Sequence, residues 1–499
     1  MVGVIISLLV TIMVVVILLK KMKAQFVLFF GGLTLLVCSI AMDAFGLLPN
    51  GAQILPKGVA STGFIGFDLF KCITSLMSSR TAGIGLLIMS AAGYSKYMSM
   101  IGASAIMADY LCRPLRIFRS PYFVLSLAYI IGAIADLFIP SASGLAMLLM
   151  VTIYPVLVRL GARLPAAAVI ATVSCLDMGP TSGAANYAAQ VAGMDTITYF
   201  VEYQIPVGIV VTIAVAALHF FTQRYFDAKD GDKANEVDEA TAKQEKIDVK
   251  GAPAWYGLLP MIPLVLLIVF NRFVIDTVKL DVPTAMFISF TVALCCELAR
   301  KAVKDVLNTG FEFFNMMGRQ FATVITLIVA GELFAKGLIA TGTIDYLIAG
   351  TQNLGLPAYA IMIVVVSFIS ISCVVMGSGN APFFAFAPLV PDFAQQFGVS
   401  TILLLMPMQL STGLARVMSP ITAVVVAVAG CSGISPFALV RRTAIPMTGG
   451  LCHDHHPELS RNLEIHRFET HRFPLKAAGF SCRLLFFSAD ALYGAPAFF

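Results

Sequence analysis

Short polar residues, together with glycine and proline, interrupt otherwise apolar stretches of the sequence at four places. The first two interruptions contain Ser141, Ser143 and Gly144, and then Pro180, Thr181, Ser182 and Gly183. The other two contain Ser378, Gly379 and Asn380, and then Ser419, Pro420 and Thr422. A broken helix frees backbone N–H groups, and the N-terminus of a half-helix favours an anion. These breaks therefore predict a binding site for a carboxylate-bearing solute.

Two kinds of charged residue accompany the breaks. Arg416 lies one helical turn before Ser419 and could hold a substrate carboxylate with a bidentate fork. Its alternative roles are to extend toward the membrane surface or to pair with Glu332. Asp177 directly precedes the second break and could carry a proton or help to bind a cation, or it could be structural. Glu332 is the other candidate for ion coupling, because ionisable residues inside a membrane are functional candidates.

Four further ionisable residues have weaker cases. Arg80 and Arg319 open two equivalent apolar stretches and are expected to face lipid headgroups. Asp136 is close to the first break and has no assigned role. His219 is expected to be interfacial, because it lies near the end of an apolar stretch.

The amino-acid composition indicates the environment in which these residues lie. Of 499 residues, 59% are hydrophobic and only 12% are charged, against about 25% charged in ordinary soluble domains. The chain therefore cannot cover a water-facing surface of this size. A net charge of +5 is too weak for a nucleic-acid-binding face. The sequence predicts a polytopic protein embedded in a lipid bilayer, with no nucleic-acid partner.

Apolar stretches of membrane-spanning character recur along the chain, since a spanning helix needs roughly 20 mostly apolar residues. They are 2–19, 25–42, 81–98, 121–139, 145–158, 165–178, 203–222, 256–271, 284–299, 320–335, 358–376 and 401–418. Lysine and arginine cluster in alternate loops, which include Lys20–Lys23 and the pair Arg441 and Arg442. The positive-inside rule then places the N-terminus in the periplasm.

The sequence divides into four segments. We expect a first transmembrane repeat over 1–225, a charged cytoplasmic linker over 226–252, a second repeat over 253–450 and an atypical tail over 451–499. Four landmarks of the first repeat return in the second, in the same order, about 235 to 240 residues later. Five crossings precede the linker, together with the pair 121–139 and 145–158. Because this pair returns to its starting side, the number of crossings before the linker is odd. The fold class is therefore an all-α inverted-topology repeat with hairpins and broken helices, as in many secondary transporters.

Five motifs resemble one known family. The motifs are Ser141-Ala-Ser-Gly-Leu, Gly179-Pro-Thr-Ser-Gly, Gly377-Ser-Gly-Asn-Ala-Pro-Phe, Ser419-Pro-Ile-Thr-Ala-Val-Val-Val and Ile434-Ser-Pro-Phe. In order and wording they resemble the DcuC-type anaerobic C4-dicarboxylate carriers (DcuC/DcuD-like). The resemblance covers about residues 1–450, and the stretch that begins at Gly377 is its most specific part.

The resemblance implies an inner-membrane carrier for fumarate, succinate, malate and aspartate that works by exchange or cation-coupled symport. It also implies an ion-transporter-type fold with paired hairpins. The expected partners are a dicarboxylate, the bilayer, a coupling proton or sodium ion and a second copy in a homodimer. A carrier of monocarboxylates or of short peptide-like acids remains an alternative.

Competing classes have less support in the sequence. It contains neither the HExxH motif nor the GxxxxGK[ST] motif, so we expect a carrier and not an enzyme or an ATP-driven pump, with no cofactor. After Gly450 the apolar pattern is lost, although the repeat predicts another span after Arg442. His453, His455 and His456 alone do not make a metal site. The last helix is therefore expected to be missing and the end of the chain altered, which leaves an inactive truncated carrier as a further alternative.

Overall fold

The structure, a computed structural model, describes residues 2–454 except 21, 49–50, 53, 57, 119, 231–250, 271–274, 276, 279, 344–345 and 347–357. Every regular element among the described residues is a helix, which confirms the all-helical prediction. Most of the predicted linker 226–252 and nearly all of the predicted tail 451–499 lie outside the described residues.

The first half contains twelve of the helices that the structure describes. They are α1 (Val2–Leu19), α2 (Ala24–Ala44), α3 (Ile65–Arg80), α4 (Leu86–Met100), α5 (Ala103–Cys112), α6 (Pro121–Asp136), α7 (Ala142–Thr152), α8 (Tyr154–Arg159), α9 (Arg163–Thr172), α10 (Gly183–Val191), α11 (Thr196–Thr198) and α12 (Ile205–Asp230). A π-helical turn, Thr81–Gly85, joins α3 to α4, and a second one, Tyr199–Gln204, joins α11 to α12.

The second half repeats this order over its described residues. Its helices are α13 (Ile262–Val269), α14 (Val282–Leu298), α15 (Val303–Gln320), α16 (Thr326–Ala340), α17 (Ala358–Met376), α18 (Asn380–Phe386), α19 (Val390–Phe397), α20 (Thr401–Arg416), α21 (Ala423–Ser432) and α22 (Pro436–Asp454). A π-helical turn, Phe321–Ile325, joins α15 to α16 at the position that matches the turn between α3 and α4.

Proline and glycine set several of the helix ends. Pro121 begins α6, where its missing N–H group costs nothing because the first helical residues have no intrahelical acceptor. Gly398 and Gly433 end α19 and α21 with positive φ angles of 63° and 66°. A residue with a side chain rarely adopts this left-handed conformation, so these glycines fix where the two helices stop.

The first two spans of each half pack against the other half. On α2, a Cβ atom placed on Gly32 would lie 2.8 Å from the carbonyl oxygen of Leu333 in α16. Conversely, a helix of the second half packs against the first half: Phe290 of α14 packs edge-on against Tyr97 of α4, with ring centroids 5.0 Å apart. Close approach such as that at Gly32 needs a small residue at the contact, as is common between membrane helices. The two halves are therefore interlocked.

Helix lengths agree with a membrane environment. Within the described part of the chain, four continuous helical stretches are long and apolar enough to cross a bilayer: Ala24–Ala44, Ile65–Met100, Thr196–Asp230 and Val303–Ala340. Shorter apolar helices, such as Pro121–Asp136, Ala142–Thr152 and Arg163–Thr172, have 10 to 17 residues. Several of the twelve expected spans are therefore interrupted or short, because the breaks and bends divide the apolar stretches into half-helices.

The pair Arg441 and Arg442 does not lie in a loop, contrary to the sequence prediction. Both lie inside α22, and the Arg442 side chain is only 1% exposed. It forms ion pairs with Asp227 and with Asp230, the latter at 3.0 Å, both near the end of α12. A buried guanidinium of this kind needs its partners, because an uncompensated buried charge is costly. The helix α22 is described up to Asp454, and the prediction that the last helix is missing concerns residues that lie largely outside the described ones.

Candidate functional site

The first break of the first half is the turn between α6 and α7. Ser141 caps α7, because its hydroxyl accepts a hydrogen bond from the backbone N–H of Gly144 at 3.2 Å. Ser143 lies partly buried in the first turn of the same half-helix. The turn touches the second break: the hydroxyl of Thr181 donates to the carbonyl of Leu137 at 2.9 Å. Two of the predicted breaks therefore meet.

The second break connects α9 to α10 over residues 173–182. Asp177 and Gly179 have positive φ angles of 50° and 91° there, so the chain leaves the helical path. Ser182 caps α10 by accepting a hydrogen bond from the N–H of Ala185 at 3.2 Å. Its neighbour Pro180 is buried. The cap explains why a serine stands at this position, directly before the helix begins at Gly183.

The third break connects α17 to α18 and contacts the helix before the fourth break. Gly377 has a φ angle of 66°, and a Cβ atom on it would lie 2.7 Å from the side chain of Ile421. A Cβ atom on Gly379 would lie 2.9 Å from the carbonyl oxygen of Thr412 in α20. Ser378 and Asn380 are partly buried in the same turn. Glycine at 377 and 379 therefore allows the turn to lie directly on its neighbours.

The fourth break connects α20 to α21 and is organised around the last residue of α20. The backbone N–H of Ser419 donates to the carbonyl of Arg416 at 3.1 Å, and the hydroxyl of Thr422 donates to the same carbonyl. Pro420 lies between them, partly buried. The residues of the break are thus hydrogen-bonded to the backbone of Arg416. The Arg416 side chain extends toward the first half.

The Arg416 side chain joins the fourth break to the second. Its Nη2 atom donates to the carbonyl of Ser174 at 2.7 Å, and its Nη1 atom lies 3.5 Å from an Asp177 carboxylate oxygen. The Arg416 and Asp177 side chains are 14% and 22% exposed. The expected alternative, an ion pair between Arg416 and Glu332, is wrong because Arg416 faces Asp177. Arg416 therefore lies between the two halves of the molecule.

Three polar atoms, on Arg416 and on two serines whose backbone is hydrogen-bonded to it, are buried and lack a hydrogen-bond partner in the described part of the chain. They are Nε of Arg416 and the hydroxyl oxygens of Ser174 and Ser419. An unpaired buried polar group costs about 1–3 kcal/mol. All three groups can donate a hydrogen bond, so the arrangement suits an anion with several acceptor oxygens.

A bridge of side-chain amides, absent from the sequence prediction, fixes the same contact. Gln409 on α20 donates to the carbonyl of Asp177 at 2.9 Å and accepts a hydrogen bond from Gln204 at 2.8 Å. The Gln204 oxygen in turn accepts the N–H of Gly179 at 3.1 Å. The sequence feature that could have indicated this bridge is a glutamine, Gln409, inside an apolar span. Behind it, a Cβ atom on Gly413 would lie only 1.9 Å from the carbonyl oxygen of Cys175.

Asp136 belongs to this region, whereas the sequence assigned it no role. It is the last residue of α6 and only 8% exposed. It therefore adds a second buried carboxylate next to the first break, which Thr181 joins to the second break.

Glu332 lies in a separate polar group. It is 6% exposed, forms an ion pair with Arg80 at 2.7 Å and accepts a hydrogen bond from the Tyr187 hydroxyl at 2.9 Å. The expectation that Arg80 faces lipid headgroups is therefore wrong, because the buried carboxylate draws it inward. Arg319, by contrast, is exposed. Glu332 reaches the second break only indirectly, through α10.

His219 is also placed differently from the prediction. Its side chain is completely buried instead of interfacial, and it is hydrogen-bonded to Thr172 at 3.0 Å and to Gln223 at 3.3 Å. Buried polar partners on two helices explain the burial, since they satisfy both ring nitrogens.

A cavity of about 290 Å³ lies away from these groups, between α1 and the second half. Its lining is apolar and includes Val4, Leu8, Met362, Phe386 and Phe393. A dianion would lose its hydration there without gaining partners. The chemistry of the breaks, and not this cavity, therefore defines the candidate site.

Solved structures support the fold. The chain matches the YdaH transporter of Alcanivorax borkumensis with a TM-score of 0.60 and 16% identity, over 89% of this chain and 99% of that one. It matches MtrF of Neisseria gonorrhoeae with a TM-score of 0.52 and 12% identity, over 87% and 94%. The expected transporter-type membrane fold with hairpins and broken helices is confirmed.

Sequence comparisons are more specific. The chain is 35% identical over 436 residues to the anaerobic C4-dicarboxylate transporter DcuC of Escherichia coli K12, covering 87% of this chain and 91% of the relative. It is 33% identical to a probable anaerobic C4-dicarboxylate transporter DcuC of Vibrio cholerae, covering 90% and 96%. The DcuC family, described as C4-dicarboxylate anaerobic carrier, matches residues 2–454. These matches confirm a multi-pass membrane transporter rather than an enzyme, and this chain belongs to the DcuC family.

Proposed function

We propose that this chain carries four-carbon dicarboxylates, such as fumarate, succinate, malate and aspartate, across the inner membrane by exchange or by cation-coupled symport. The names of its relatives in Escherichia coli and Vibrio cholerae support the substrate class. The observation that carries the proposal is Arg416, a guanidinium that is only 14% exposed between the two halves and whose Nε atom has no partner in the described chain.

One substrate carboxylate binds Arg416. The 3.5 Å separation from Asp177 is long for a charge-assisted hydrogen bond, which favours about 2.7–2.9 Å, so the guanidinium is loosely held on that side. A substrate carboxylate can take the place of Asp177 and accept hydrogen bonds from Nε and from the hydroxyls of Ser174 and Ser419. The released Asp177, near Asp136, is then available for a coupling proton or sodium ion.

The second carboxylate binds the N-terminal ends of the half-helices at the hairpin turns. Ser141 and Ser182 each cap one N–H group, and further N–H groups of those first turns have no intrahelical acceptor. Predicted substrate contacts are Ser141, Ser143, Gly144, Pro180, Thr181, Ser182, Gly183, Ser378, Gly379, Asn380, Arg416, Ser419, Pro420 and Thr422. With one carboxylate at Arg416 and the other at these N-terminal ends, the site would suit a molecule with a carboxylate at each end.

The proposal also covers orientation, assembly and ion coupling. The N-terminus lies in the periplasm according to the lysine and arginine distribution. Two copies form a homodimer. Asp177 and Glu332 are the candidates for ion coupling, and they have different partners, Arg416 and Arg80.

Counterflow of labelled succinate into proteoliposomes tests the proposal. Arg416→Lys keeps the charge but removes the planar fork, so one charged hydrogen bond worth roughly 1.5–3 kcal/mol is lost. The half-saturating succinate concentration should rise about 10- to 150-fold, since 1.4 kcal/mol is about tenfold. The matched control is Arg319→Lys, an exposed arginine on α15, which should transport normally. Unchanged succinate transport by Arg416→Lys, or equal competition by butyrate in the unmodified chain, would reject the dicarboxylate site.

A further inference from the structure

Two side-chain amide oxygens are buried on one face of α10 without a hydrogen-bond donor among the described residues. They are Oδ1 of Asn186, whose residue is 1% exposed, and Oε1 of Gln190. Residues four apart lie one above the other on a helix, so the two side chains share a face. Such oxygens are costly unless a ligand pairs with them.

The orientation of the Asn186 amide follows from its other contacts. Its Nδ2 atom donates to the carbonyls of Pro180 at 2.9 Å and Ser182 at 2.7 Å. Only the nitrogen of an amide can donate, so the oxygen must point away from the break. The atom that lacks a partner is therefore an acceptor, and its ligand must be a donor or a cation.

The same face of α10 packs against the bent turn between α3 and α4. A Cβ atom on Gly83 would lie 3.2 Å from Nε2 of Gln190. The backbone of Gly83 leaves the helical region there, with φ −83° and ψ −106°. Interrupted helices of this kind present carbonyl oxygens outside the regular ladder, and such carbonyls hold cations in broken-helix transporters.

The charges nearby decide what kind of cation fits. Glu332, which the neighbouring Tyr187 contacts, is already compensated by Arg80 at 2.7 Å. The two free ligand atoms are neutral oxygens, whereas calcium sites use carboxylates and magnesium sites need several waters. An amide oxygen also has no basic site for a proton. Among cations, the chemistry that remains is a monovalent one.

We propose that Asn186 and Gln190, beside the bent turn Thr81–Gly85, bind a sodium ion. The ion fixes the Asn186 amide, whose nitrogen holds the carbonyls of Pro180 and Ser182 in the second break. Ion binding thereby stabilises the conformation of a break that contacts substrate. Its coupling to transport rests on the proposed dicarboxylate function, and by thermodynamic reciprocity substrate must tighten the binding of sodium as sodium tightens that of substrate.

Ion binding can be measured without substrate. The full chain, purified in detergent, is unfolded thermally in sodium chloride and in choline chloride at equal ionic strength and fixed pH. Sodium should raise the unfolding temperature of the unmodified chain, because a ligand that binds only the folded state stabilises it. Gln190→Leu keeps the approximate shape and removes the oxygen, so the sodium-specific increment should disappear. Gln395→Leu, at an exposed glutamine on α19, should keep it.

Several outcomes would overturn the sodium site. They are no sodium-specific stabilisation of the unmodified chain, equal stabilisation of Gln190→Leu, or an equal effect of magnesium or calcium. If Gln190→Leu does not fold, Gln190→Glu decides: its added charge should lower the half-stabilising sodium concentration about tenfold, and an unchanged concentration rejects the site.

Transport separates this proposal from the dicarboxylate function. In proteoliposomes, Gln190→Leu should raise the half-saturating sodium concentration for succinate uptake at least tenfold while uptake at saturating sodium persists. Succinate transport that is equal in sodium and choline, without thermal stabilisation, overturns the sodium site and leaves the dicarboxylate function standing. Sodium-specific stabilisation that Gln190→Leu abolishes, in a chain that does not transport succinate, supports the sodium site and overturns the dicarboxylate function.

Discussion

The contact between Gly413 and the second break offers a demanding test of the site. Its α-carbon is so close to the first half that an added Cβ atom would lie 1.9 Å from the carbonyl oxygen of Cys175. Real Cβ atoms essentially never approach closer than 3.0 Å. Gly413→Ala must therefore separate α20 from residues 173–182 by about 1.1 Å, the difference between these two distances. The opposing atom belongs to the backbone, so it cannot simply rotate away.

That displacement reaches both interactions that hold the site together. The hydrogen bond from Gln409 to the Asp177 carbonyl would lengthen from 2.9 Å to about 4 Å, outside the range of a hydrogen bond. The contact of Arg416 with the Ser174 carbonyl, 2.7 Å long, would weaken in the same way. Overpacking of this kind costs typically 1–3 kcal/mol. A misplacement of 1 Å at a reacting or binding group can cost about 100-fold in rate.

We therefore expect Gly413→Ala to insert in the membrane but to lose about 100-fold in succinate counterflow. The assay pairs initial counterflow rates with the amount of folded protein recovered in detergent. Gly430→Ala on α21 and Gly318→Ala on α15 are matched controls, because the described residues place no heavy atom beyond the helix's own nearby backbone within 4 Å of the added Cβ atom. Counterflow of Gly413→Ala at the rate of the two controls would refute the close contact between α20 and the second break as a requirement for transport.

Two further predictions concern stability and orientation. Arg442→Met should lower the free energy of unfolding by about 3–5 kcal/mol, because Asp227 and Asp230 lose their buried partner; thermal unfolding checks this, and a loss as small as that of Arg441→Met would contradict it. Lys23→Cys and Ala60→Cys, at exposed positions on either side of α2 in a cysteine-free background, should react with an impermeant thiol reagent from opposite sides of the membrane. Labelling of both from the periplasm would contradict the orientation.

The sequence was sufficient for the helical fold and for the location of the breaks. Glycine, proline and small hydroxyl residues clustered inside an apolar stretch favour an interrupted helix, and Ser141 and Ser182 indeed cap half-helices. Arg416 was also singled out, because ionisable residues inside a membrane are functional candidates, and its role in binding stays a prediction. These features depend on neighbours within a few residues along the chain, which is the range over which a sequence pattern carries direct physical information.

The partners of charged and polar groups could not be read from the sequence. Arg80 reaches Glu332 across 252 residues, and Gln204 reaches Gln409 across 205. The packing of whole helices decides which residues meet. A single sequence does not specify how its helices pack. His219 was misplaced for the same reason: its position near a helix end suggested an interface, whereas Thr172 on another helix gives it a buried partner.

The interlocking of the halves has a consequence for how the protein is made. On α4, the surface around Tyr97 packs against Phe290 of α14. The ribosome adds Phe290 nearly 200 residues after Tyr97. Similarly, the contact of Gly32 on α2 with Leu333 on α16 can form only after the second half has been synthesised. The first half therefore enters the membrane with incomplete lateral contacts, and its final packing depends on synthesis of the second. A gene fragment that encodes either half alone would yield a chain that lacks these contacts, whereas both halves expressed together would supply both sides of them.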